Sequence, residues 1–548
     1  MSKMLREIII RKVYKEEIRL VSKVGGKPSK WILDFKSQAL NREFLQEYAR
    51  CFWDAFQDQF TGSVQIGGME SGAIPLITGV SVFAPEGRSV NAFYIRKSRK
   101  KSDLANLIEG ELMADPIVLV DDILNAGHTI RKQIKILEDA GRSVAAVFVC
   151  IRYRDLSSYQ DLIDRGVKII SIFELDDFQG ELPVKNIVHL DTTVPRLDKY
   201  RVDFRIRLTE RPNFYAVVPK SGPVLMGEHL YLGSDAGGFH CVRTDDGSRV
   251  WTYQVPFGTA GKYIFSTPAV YRDRVIFGAY DGNLYCLNRI TGKREWVFSD
   301  ADWIGSSPCV NEREGTVYVG MEFALPGKRG GVAAVDIKTG NLKWGNYAFP
   351  GLAHASPAYS EKHGLVVCGS NDHTFYAMKA ETGEVVWQFQ TTGEVKYGAV
   401  FDDTRDLVIF GSMDGGVYAL RVADGSLYHR FDARFGFYST PALSGSRVII
   451  GSLDKLVYCF DLDEKSTLWT FETSGRIFAS PALDRGSVFI GSNDGRLYEI
   501  DLGTGKCLAM VQFTERIVNR IQILQRADKR RILYVATHAG EVYRLIER

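Results

Sequence analysis

The sequence lacks most features that mark exported, membrane-spanning or zinc-dependent proteins. No apolar run approaches the ~20 residues of a membrane helix, and the amino terminus breaks its apolar stretch after Ile8–Ile10. The eight cysteines stand singly without a CxxC pair, and neither a Walker-type phosphate loop nor an HExxH zinc motif occurs. We therefore expect a cytoplasmic protein with reduced cysteines and no membrane span.

An excess of charge of one sign is also missing. The 69 Lys and Arg residues nearly balance the 66 Asp and Glu residues, so the formal net charge is +3. This balance argues against nucleic-acid binding, for which Arg96–Lys101 and Arg526–Arg531 are the basic candidates. The 548 residues leave room for several domains, since a domain most often has about 100–200 residues.

The first third of the chain alternates helix and strand patterns. Asn41–Phe60 has an aromatic residue at every fourth position from Phe44 to Phe56, which predicts a helix with one buried face. Ile117–Val120 is fully apolar, as in a central strand that is buried on both faces. The alternation over residues 1–195 predicts an α/β domain with a parallel sheet and helices on both faces.

After about residue 210 the helical patterns stop and a repeat begins. Its core, Gly-Ser-x-Asp-Gly followed by Tyr, recurs about every 40–50 residues, the period of a four-stranded propeller blade. Eight cores predict an eight-bladed all-β propeller over residues 213–548, in which Asn213–Val218 supplies the strand that the last blade lacks. Residues 196–212 form the expected connector, with a candidate strand at Tyr200–Leu208. The cores begin at Gly233, Gly278, Gly320, Gly369, Gly411, Gly451, Gly491 and Thr537.

The repeat resembles the PQQ-like repeat family. Its Asp-Gly turns and Trp residues recur in blade after blade, so we expect them to form hairpins and pack blades rather than bind a quinone or a metal. No single blade has a residue set typical of such a site. We expect the faces of the propeller to bind a partner protein.

The clearest chemical motif is Ile117–Thr129. The strand brings Asp121 and Asp122 to the carboxyl edge of the sheet, where ligands of such folds bind. These acids suit ribose hydroxyls, or the waters around a magnesium ion. Asn125–Thr129 presents backbone N–H groups at a helix amino terminus, which can bind a phosphate. A strand, turn and helix whose acids only cap the helix is the structural alternative.

At this segment the chain resembles the type I phosphoribosyltransferases, most closely the orotate phosphoribosyltransferase branch, over roughly residues 15–180. Gly26–Lys36 resembles the substrate-side entry segment of that branch. Gly67–Leu76 resembles its pyrophosphate loop. Phe93–Leu112 resembles its Arg-Lys strand, mobile basic loop and Ile-Glu-Gly return.

The resemblance implies transfer of ribose 5-phosphate from PRPP to a nitrogen base, with Mg²⁺ bridging pyrophosphate and ribose oxygens. Asp121 and Asp122 would then hold the ribose hydroxyls close to Mg²⁺, and Lys100 would be the mobile catalytic lysine. The family's loop reaches into the partner subunit, so the resemblance also implies a homodimer. The residues implied to bind substrate are Asn125, Ala126, Gly127, His128 and Thr129 for the 5-phosphate, Met69, Glu70, Ser71, Arg96 and Lys97 for the pyrophosphate, and Arg152 for an acceptor carboxylate.

Three departures from the family leave two hypotheses open. Lys100–Asp103 lacks the family's loop histidine and glycine, Asn125 and His128 alter the phosphate loop, and Ile151 replaces an aspartate before Arg152. The first hypothesis is an active phosphoribosyltransferase with an unidentified acceptor, tethered to a partner-binding propeller in a specialised nucleotide, stress or defence pathway. The second is a non-catalytic sensor of PRPP or a nucleotide, or a protein-interaction scaffold.

Overall fold

A computed structural model describes residues 2–21, 28–60, 62–96, 107–178, 181, 198–208, 221–256, 263–324, 327–526 and 528–548. The chain forms two compact units, the first comprising Met1–Val194 and Gln512–Thr514 and the second comprising Pro195–Val511 and Glu515–Arg548. No helix within the described ranges combines the length and apolar composition that a bilayer span requires.

The first unit is built on a five-stranded sheet. Its strand order is β4-β3-β7-β8-β9, and every neighbouring pair is parallel, as the sequence predicts. The hairpins β1–β2 and β5–β6 are antiparallel. The strands are β1 Tyr14–Val21, β2 Pro28–Leu33, β3 Ser63–Gly67, β4 Ser89–Ala92, β5 Tyr94–Ile95, β6 Ile108–Glu109, β7 Ile117–Leu124, β8 Val144–Arg152 and β9 Lys168–Glu174.

Helices cover both faces of this sheet. The predicted aromatic face of α2 is confirmed, because Phe44, Tyr48, Phe52 and Phe56 are buried against one face together with Val118 and Val120 of β7. On the other face, Ile117 and Leu119 pack with the apolar residues of α4 and α5. The helices are α1 Lys3–Ile8, α2 Arg42–Phe56, α3 Ala73–Val82, α4 His128–Asp139 and α5 Gln160–Ile163, with a π-helical turn at Ile9–Val13 and 3₁₀ turns at Phe35–Ser37, Leu156–Tyr159 and Leu175–Phe178.

Local sequence explains where α2 begins and where α4 begins and ends. The Asn41 side chain accepts hydrogen bonds from the backbone N–H groups of Glu43 and Phe44 at 2.9 and 3.2 Å, which caps α2. Gly127 precedes α4 with φ +72°, and Gly141 follows it with φ +75°. Glycine adopts this left-handed conformation without steric cost, so Gly141 ends α4 as predicted.

The second unit is an eight-bladed propeller, as the repeat count predicts. Each blade is an antiparallel four-stranded sheet. Blade 1 contains Val224–Met226, His229–Gly233, Gly238–Arg243 and Arg249–Gln254; blade 2 Ala269–Tyr271, Arg274–Gly278, Asn283–Asn288 and Arg294–Ser299; blade 3 Cys309–Asn311, Thr316–Phe323, Arg329–Asp336 and Leu342–Phe349; blade 4 Ala358–Ser360, Leu365–Gly369, Thr374–Lys379 and Val385–Gln390. Blade 5 contains Val400–Asp402, Leu407–Gly411, Gly416–Arg421 and Leu427–Asp432; blade 6 Ala442–Ser444, Arg447–Gly451, Leu456–Asp461 and Ser466–Glu472; blade 7 Ala482–Asp484, Ser487–Gly491, Arg496–Asp501 and Cys507–Gln512; blade 8 Gln522–Gln525, Arg531–Ala536, Glu541–Glu547 and Tyr200–Arg207.

The strand that completes blade 8 differs from the prediction. Tyr200–Arg207 pairs antiparallel with Glu541–Glu547, so it occupies the position expected for Asn213–Val218, which lies outside the described residues. Phe204 and Ile206 pack into the apolar cluster between blades 8 and 1. This alternation of apolar and polar residues suits a strand with one buried face, and it agrees with the candidate strand predicted at Tyr200–Leu208.

A buried ion network ties this end of the chain to blade 7. Glu499 of blade 7 accepts hydrogen bonds from Lys199 at 2.7 Å and from the Tyr200 hydroxyl at 3.0 Å. Arg531 of blade 8 donates to Asp484 at 2.6 Å and to Glu499 at 3.1 Å. Arg531 is therefore part of the joint between blades 7 and 8, and not part of a surface basic patch.

Candidate functional site

Two carboxylates lie at the carboxyl end of the central strand β7. Asp121 and Asp122 are within the strand, which continues to Leu124, and both side chains are half-buried. The Asp121 carboxylate accepts the backbone N–H of Asp122 at 3.0 Å, and the Asp122 carboxylate accepts that of Ile123 at 2.8 Å. These bonds hold both carboxylates against the strand end.

Burial distinguishes Asp122 as a chemically perturbed group. Removal from water raises its pKa, and this effect exceeds the opposing effects of its hydrogen bonds with Asp121 and the backbone and of the charge of Lys36. Burial, and secondarily the charge of Asp122, raises the pKa values of Cys150 and Tyr153 as well. Perturbed carboxylates in such positions are frequent at functional sites.

The predicted phosphate loop directly follows these acids. Leu124 ends β7 and His128 begins α4, so the first turn of α4 presents backbone N–H groups that have no intrahelical acceptor. Gly127 has φ +72°, a left-handed conformation that other residues rarely adopt, so the tight turn favours glycine. Asn125 and Thr129 are exposed, whereas Ala126 and His128 are half-buried.

Arg131 and Tyr159 fix the backbone of this loop through hydrogen bonds to its carbonyl groups. The Arg131 guanidinium donates to the Ala126 carbonyl at 2.6 Å and pairs with Asp161 at 2.7 Å. The Tyr159 hydroxyl donates to the Leu124 and Asn125 carbonyls at 3.1 and 2.5 Å. Local sequence patterns do not indicate these roles, because Arg131 pairs with Asp161, 30 positions away, and Tyr159 contacts Asn125, 34 positions away.

The predicted pyrophosphate loop lies beside the same strand end. A Cβ atom on Gly68 would lie 2.3 Å from the Ala73 Cβ and 2.8 Å from the Val120 carbonyl oxygen, so the loop packs tightly against β7. Hydrogen bonds between Gly68, Glu70 and Ile95, each 2.8 Å long, fix the loop to β5. Met69 is buried, Ser71 is exposed and the Glu70–Ser71 peptide is cis.

Of the four basic residues predicted to act at the site, the structure describes two, and both form ion pairs. Arg96 follows β5, and its guanidinium pairs with Glu109 at 2.6 Å. Lys97 and Lys100 lie outside the described residues. Arg152 is at the end of β8 and is 7% exposed; it pairs with Glu174 of β9 and donates to the Arg154 carbonyl. Glu174 is thus a site neighbour that local sequence patterns did not indicate, and Glu109, the glutamate of the predicted Ile-Glu-Gly return, is the partner of Arg96.

Tyr48 of α2 contacts the strand that carries the two carboxylates. Its hydroxyl lies 3.2 Å from the Asp121 carbonyl and 3.3 Å from the Phe148 carbonyl, so it links α2 to both central strands. The spacing of aromatic residues predicts Tyr48 on an apolar helix face. Its period of four was correct, but nothing in the local sequence indicated what the hydroxyl would contact.

The repeated aspartates of the propeller are used within their own turns, as predicted. In blade 5 the Asp414 carboxylate accepts the Gly416 N–H and the Tyr418 hydroxyl, each at 2.8 Å. The same Asp–Tyr pair recurs at Asp281–Tyr285, Asp372–Tyr376, Asp454–Tyr458 and Asp494–Tyr498. These carboxylates are therefore structural.

The repeated tryptophans join neighbouring blades, which confirms their predicted packing role. Each indole N–H donates to a backbone carbonyl of the next blade. The pairs are Trp251 with Arg289 at 3.1 Å, Trp296 with Ile337 at 3.0 Å, Trp344 with Ala380 at 2.9 Å, Trp387 with Val422 at 2.8 Å and Trp469 with Leu502 at 3.0 Å.

Comparisons with known proteins agree with this division of the chain. The PQQ_2 family, described as outer membrane protein assembly factor BamB, matches residues 205–348, 346–508 and 432–545. The BamB structure from Moraxella catarrhalis aligns with a TM-score of 0.51 and 17% identity over 63% of this chain and 97% of that one. A europium-containing methanol dehydrogenase aligns with a TM-score of 0.53 and 15% identity over 63% of this chain and 93% of that one. At these identities the likeness shows the propeller fold alone.

Other relatives match the first unit. The orotate phosphoribosyltransferase of Methanocaldococcus jannaschii is 28% identical over 157 residues, which cover 28% of this chain and 85% of that protein. That of Pyrococcus furiosus is 26% identical over 183 residues, which cover 32% of this chain and 98% of that protein. The chain therefore belongs to the PQQ_2 family, and its propeller is fused to an α/β unit that is similar to orotate phosphoribosyltransferases.

Proposed function

We propose that this chain is a PRPP-dependent phosphoribosyltransferase that acts on a base or base-like acceptor. The observation that carries the proposal is that Asp121, Asp122 and the loops Gly67–Ser71 and Asn125–Thr129 meet at one edge of a parallel sheet. Departure of pyrophosphate leaves an oxocarbenium-like ribose, and no protein nucleophile is needed. The work is positioning and charge neutralisation, which two carboxylates beside phosphate-binding loops can perform.

The donor set at this edge suits Mg²⁺ held together with substrate. Asp121 and Asp122 supply adjacent carboxylates, and the described part of the chain contains no cluster of three or more His, Cys, Asp or Glu side chains that could hold a metal by themselves. Mg²⁺ commonly binds one or two carboxylates plus substrate phosphates. Bound there, the ion would supply charge neutralisation to the leaving pyrophosphate. The two carboxylates would also accept hydrogen bonds from the ribose hydroxyls.

The acceptor proposed here is not a simple orotate analogue. Arg152, which the resemblance assigns to an acceptor carboxylate, is buried and already neutralised by Glu174. Binding a second carboxylate there would require breaking this ion pair, which is costly for a buried guanidinium. We therefore favour an acceptor without a carboxylate at that point.

The propeller is proposed to bind a partner protein and to direct the transferase to a specialised nucleotide, stress or defence pathway, since ordinary pyrimidine synthesis needs no propeller. We further propose a homodimer and a cytoplasmic location. All eight cysteines are free in the structure, which suits a reducing compartment.

Calorimetric titration with PRPP and Mg²⁺, followed by a pyrophosphate-release assay with a panel of bases, tests the transferase. We expect PRPP to bind and at least one base to release pyrophosphate. A folded protein that binds no PRPP contradicts the proposal.

A sensor or scaffold without turnover is the second candidate. It is favoured by one observation: Arg96 and Arg152, two of the implied ligands, are both paired with carboxylates of the chain itself. A sensor should bind PRPP with no pyrophosphate release for any base. Rapid release with any acceptor excludes it.

A further inference from the structure

One position in the propeller repeat lines the axis of the ring. The first strands of successive blades contact one another, so these strands are innermost. The residue just before the proline that opens most of these strands is a serine or threonine in five blades. We call this set the inner ring; from blade 1 to blade 8 it consists of Gly222, Thr267, Ser307, Ser356, Gly398, Thr440, Ser480 and Arg520.

The hydroxyls of the inner ring accept hydrogen bonds from one blade to the next. Thr267 accepts the Gly222 N–H at 2.9 Å, and Ser307 accepts the Thr267 N–H at 3.0 Å. Ser356 and Ser480 accept equivalent N–H groups at 2.9 Å. A hydroxyl that accepts in this way still has a proton to donate, and within the described ranges no residue accepts one from these four side chains. The inner ring is therefore a set of hydrogen-bond donors.

Arg520 is the one charged member of the inner ring. It replaces the hydroxyl in blade 8, and its neighbour in blade 1 is Gly222, which has no side chain. Within the part of the chain that the structure describes, the Arg520 guanidinium has no hydrogen bond, ion pair or ring contact. Its side chain keeps an exposed surface, yet burial by the surrounding atoms lowers its pKa. This combination is expected of a side chain in a channel.

Aromatic side chains narrow the axis two residues before the inner ring. Tyr438 lies with its ring centroid 5.7 Å from that of Phe478 and 6.3 Å from that of His354, and these residues precede blades 6, 7 and 4. Val518, two residues before Arg520, packs in one apolar cluster with Tyr438 and Phe478, so Arg520 follows this constriction directly. A guanidinium there has less water around it than one at an open surface. An unneutralised cation in that position is destabilised, and a bound anion would relieve this cost.

We propose that the inner ring binds a small oxyanion of the phosphate class, held by the Arg520 guanidinium and the ring hydroxyls. A guanidinium presents paired N–H donors that match two phosphate oxygens, and serine and threonine hydroxyls can donate to the remaining oxygens. This site is within the propeller and does not depend on the activity of the first unit.

Calorimetric titration of the full chain with inorganic phosphate and pyrophosphate tests the proposal. Arg520→Ser restores the residue type of three other blades, so it should fold, and we expect it to weaken phosphate binding by about tenfold or more. Arg520→Lys should retain part of the affinity because it keeps the charge. Arg476→Ser, at an exposed arginine next to blade 7, removes the same charge as a control and should bind phosphate like the wild type.

Phosphate bound by the first unit contributes equally to all these proteins and cancels in the comparison. Equal affinity of the wild type and Arg520→Ser overturns the proposal, and so does an equal loss in Arg476→Ser. If Arg520→Ser does not fold, wild-type affinity in Arg520→Gln overturns it instead. Tighter binding of malonate than of phosphate overturns the phosphate assignment in favour of carboxylates.

Discussion

The two units of this chain use the same residue, aspartate, in opposite ways. Burial acts to raise the pKa of both Asp122 and Asp414. For Asp414, donors that include the Gly416 N–H and the Tyr418 hydroxyl outweigh burial and lower the pKa, whereas for Asp122 burial prevails and the pKa is raised. Asp414 has its hydrogen bonds satisfied within a turn that recurs around the ring. Asp122 belongs to a motif that occurs once, and it retains capacity for a ligand.

The comparison teaches how recurrence should be interpreted. In the propeller a polar residue found in many blades serves the turn or the blade contact, as the Asp–Tyr pairs and the tryptophans do. A position that departs from its own repeat, such as Arg520, is then the informative one. In the first unit nothing repeats, so a function must be inferred from which residues converge in space.

Substituting the aspartates of the first unit and an aspartate of the propeller should give the largest difference in pyrophosphate release. We expect Asp121→Asn combined with Asp122→Asn to slow pyrophosphate release by about 10²–10³-fold or more, because the charges that face the reacting ribose are lost. Asp414→Asn should leave release unchanged and lower the unfolding free energy of the propeller by about 1–2 kcal/mol. Release assays and thermal unfolding of both variants measure this. Unchanged release in the double variant would remove the contrast.

The unfolding free energy of the first unit should respond strongly to a substitution at Gly68. Gly68→Ala places a Cβ atom 2.3 Å from the Ala73 Cβ, so we expect a loss of about 3 kcal/mol in the unfolding free energy of the first unit. Gly72→Ala is the matched control, because its Cβ atom would meet nothing within 4 Å and its φ of −68° suits alanine. Denaturant unfolding of both variants measures the difference. Equal stability would show that the loop is not tightly packed.

A buried histidine should make the propeller sensitive to acid. Burial, together with the charge of Arg249, lowers the pKa of His240 to about 4 from an unfolded value near 6.5. The unfolded chain therefore binds more protons below pH 6.5, so stability is lost as the pH falls from about 6.5 toward 4. At pH 4.5 we expect a loss of about 2 kcal/mol relative to pH 7.5.

Calorimetric unfolding of wild type and His240→Gln at both pH values isolates this effect. The imidazole lies 3.0 Å from the Thr252 hydroxyl, and glutamine can retain a polar contact there. The variant should lack the part of the acid sensitivity that His240 causes. An identical acid dependence in both proteins contradicts the assignment.

Removing a single hydrogen bond between two blades should give the smallest loss of unfolding free energy. Trp387→Phe keeps an aromatic ring but removes the 2.8 Å indole hydrogen bond to the Val422 carbonyl, which should cost about 1 kcal/mol. In blade 5 Tyr428 replaces the tryptophan, and its hydroxyl lies 3.2 Å from the Leu462 carbonyl. Tyr428→Phe should therefore cost a similar amount, and the two losses should add. Thermal unfolding of both single variants and the double variant measures this, and no loss in either single variant would show that these bonds do not stabilise the ring.

The sequence predicted those parts of the site that are local in the chain. The strand, the paired acids and the phosphate loop lie within Ile117–Thr129, so periodicity and residue type located them together. Tyr48, Arg131 and Glu174 escaped prediction because their roles depend on partners up to 100 residues away. The same reason explains the closing strand, since Tyr200–Arg207 meets its partner only at the other end of the unit.

The amino-acid sequence by itself determined the two fold classes, the number of blades and the position of the acid pair, because each follows from short-range periodicity. Only the tertiary structure decided which arginines are paired with carboxylates of the chain and which are not. Arg152 and Arg96 are adjacent to carboxylates from other strands, whereas Arg520 meets none among the described residues. Ion pairing depends on distances between chain segments, and these are fixed only when the strands take their register.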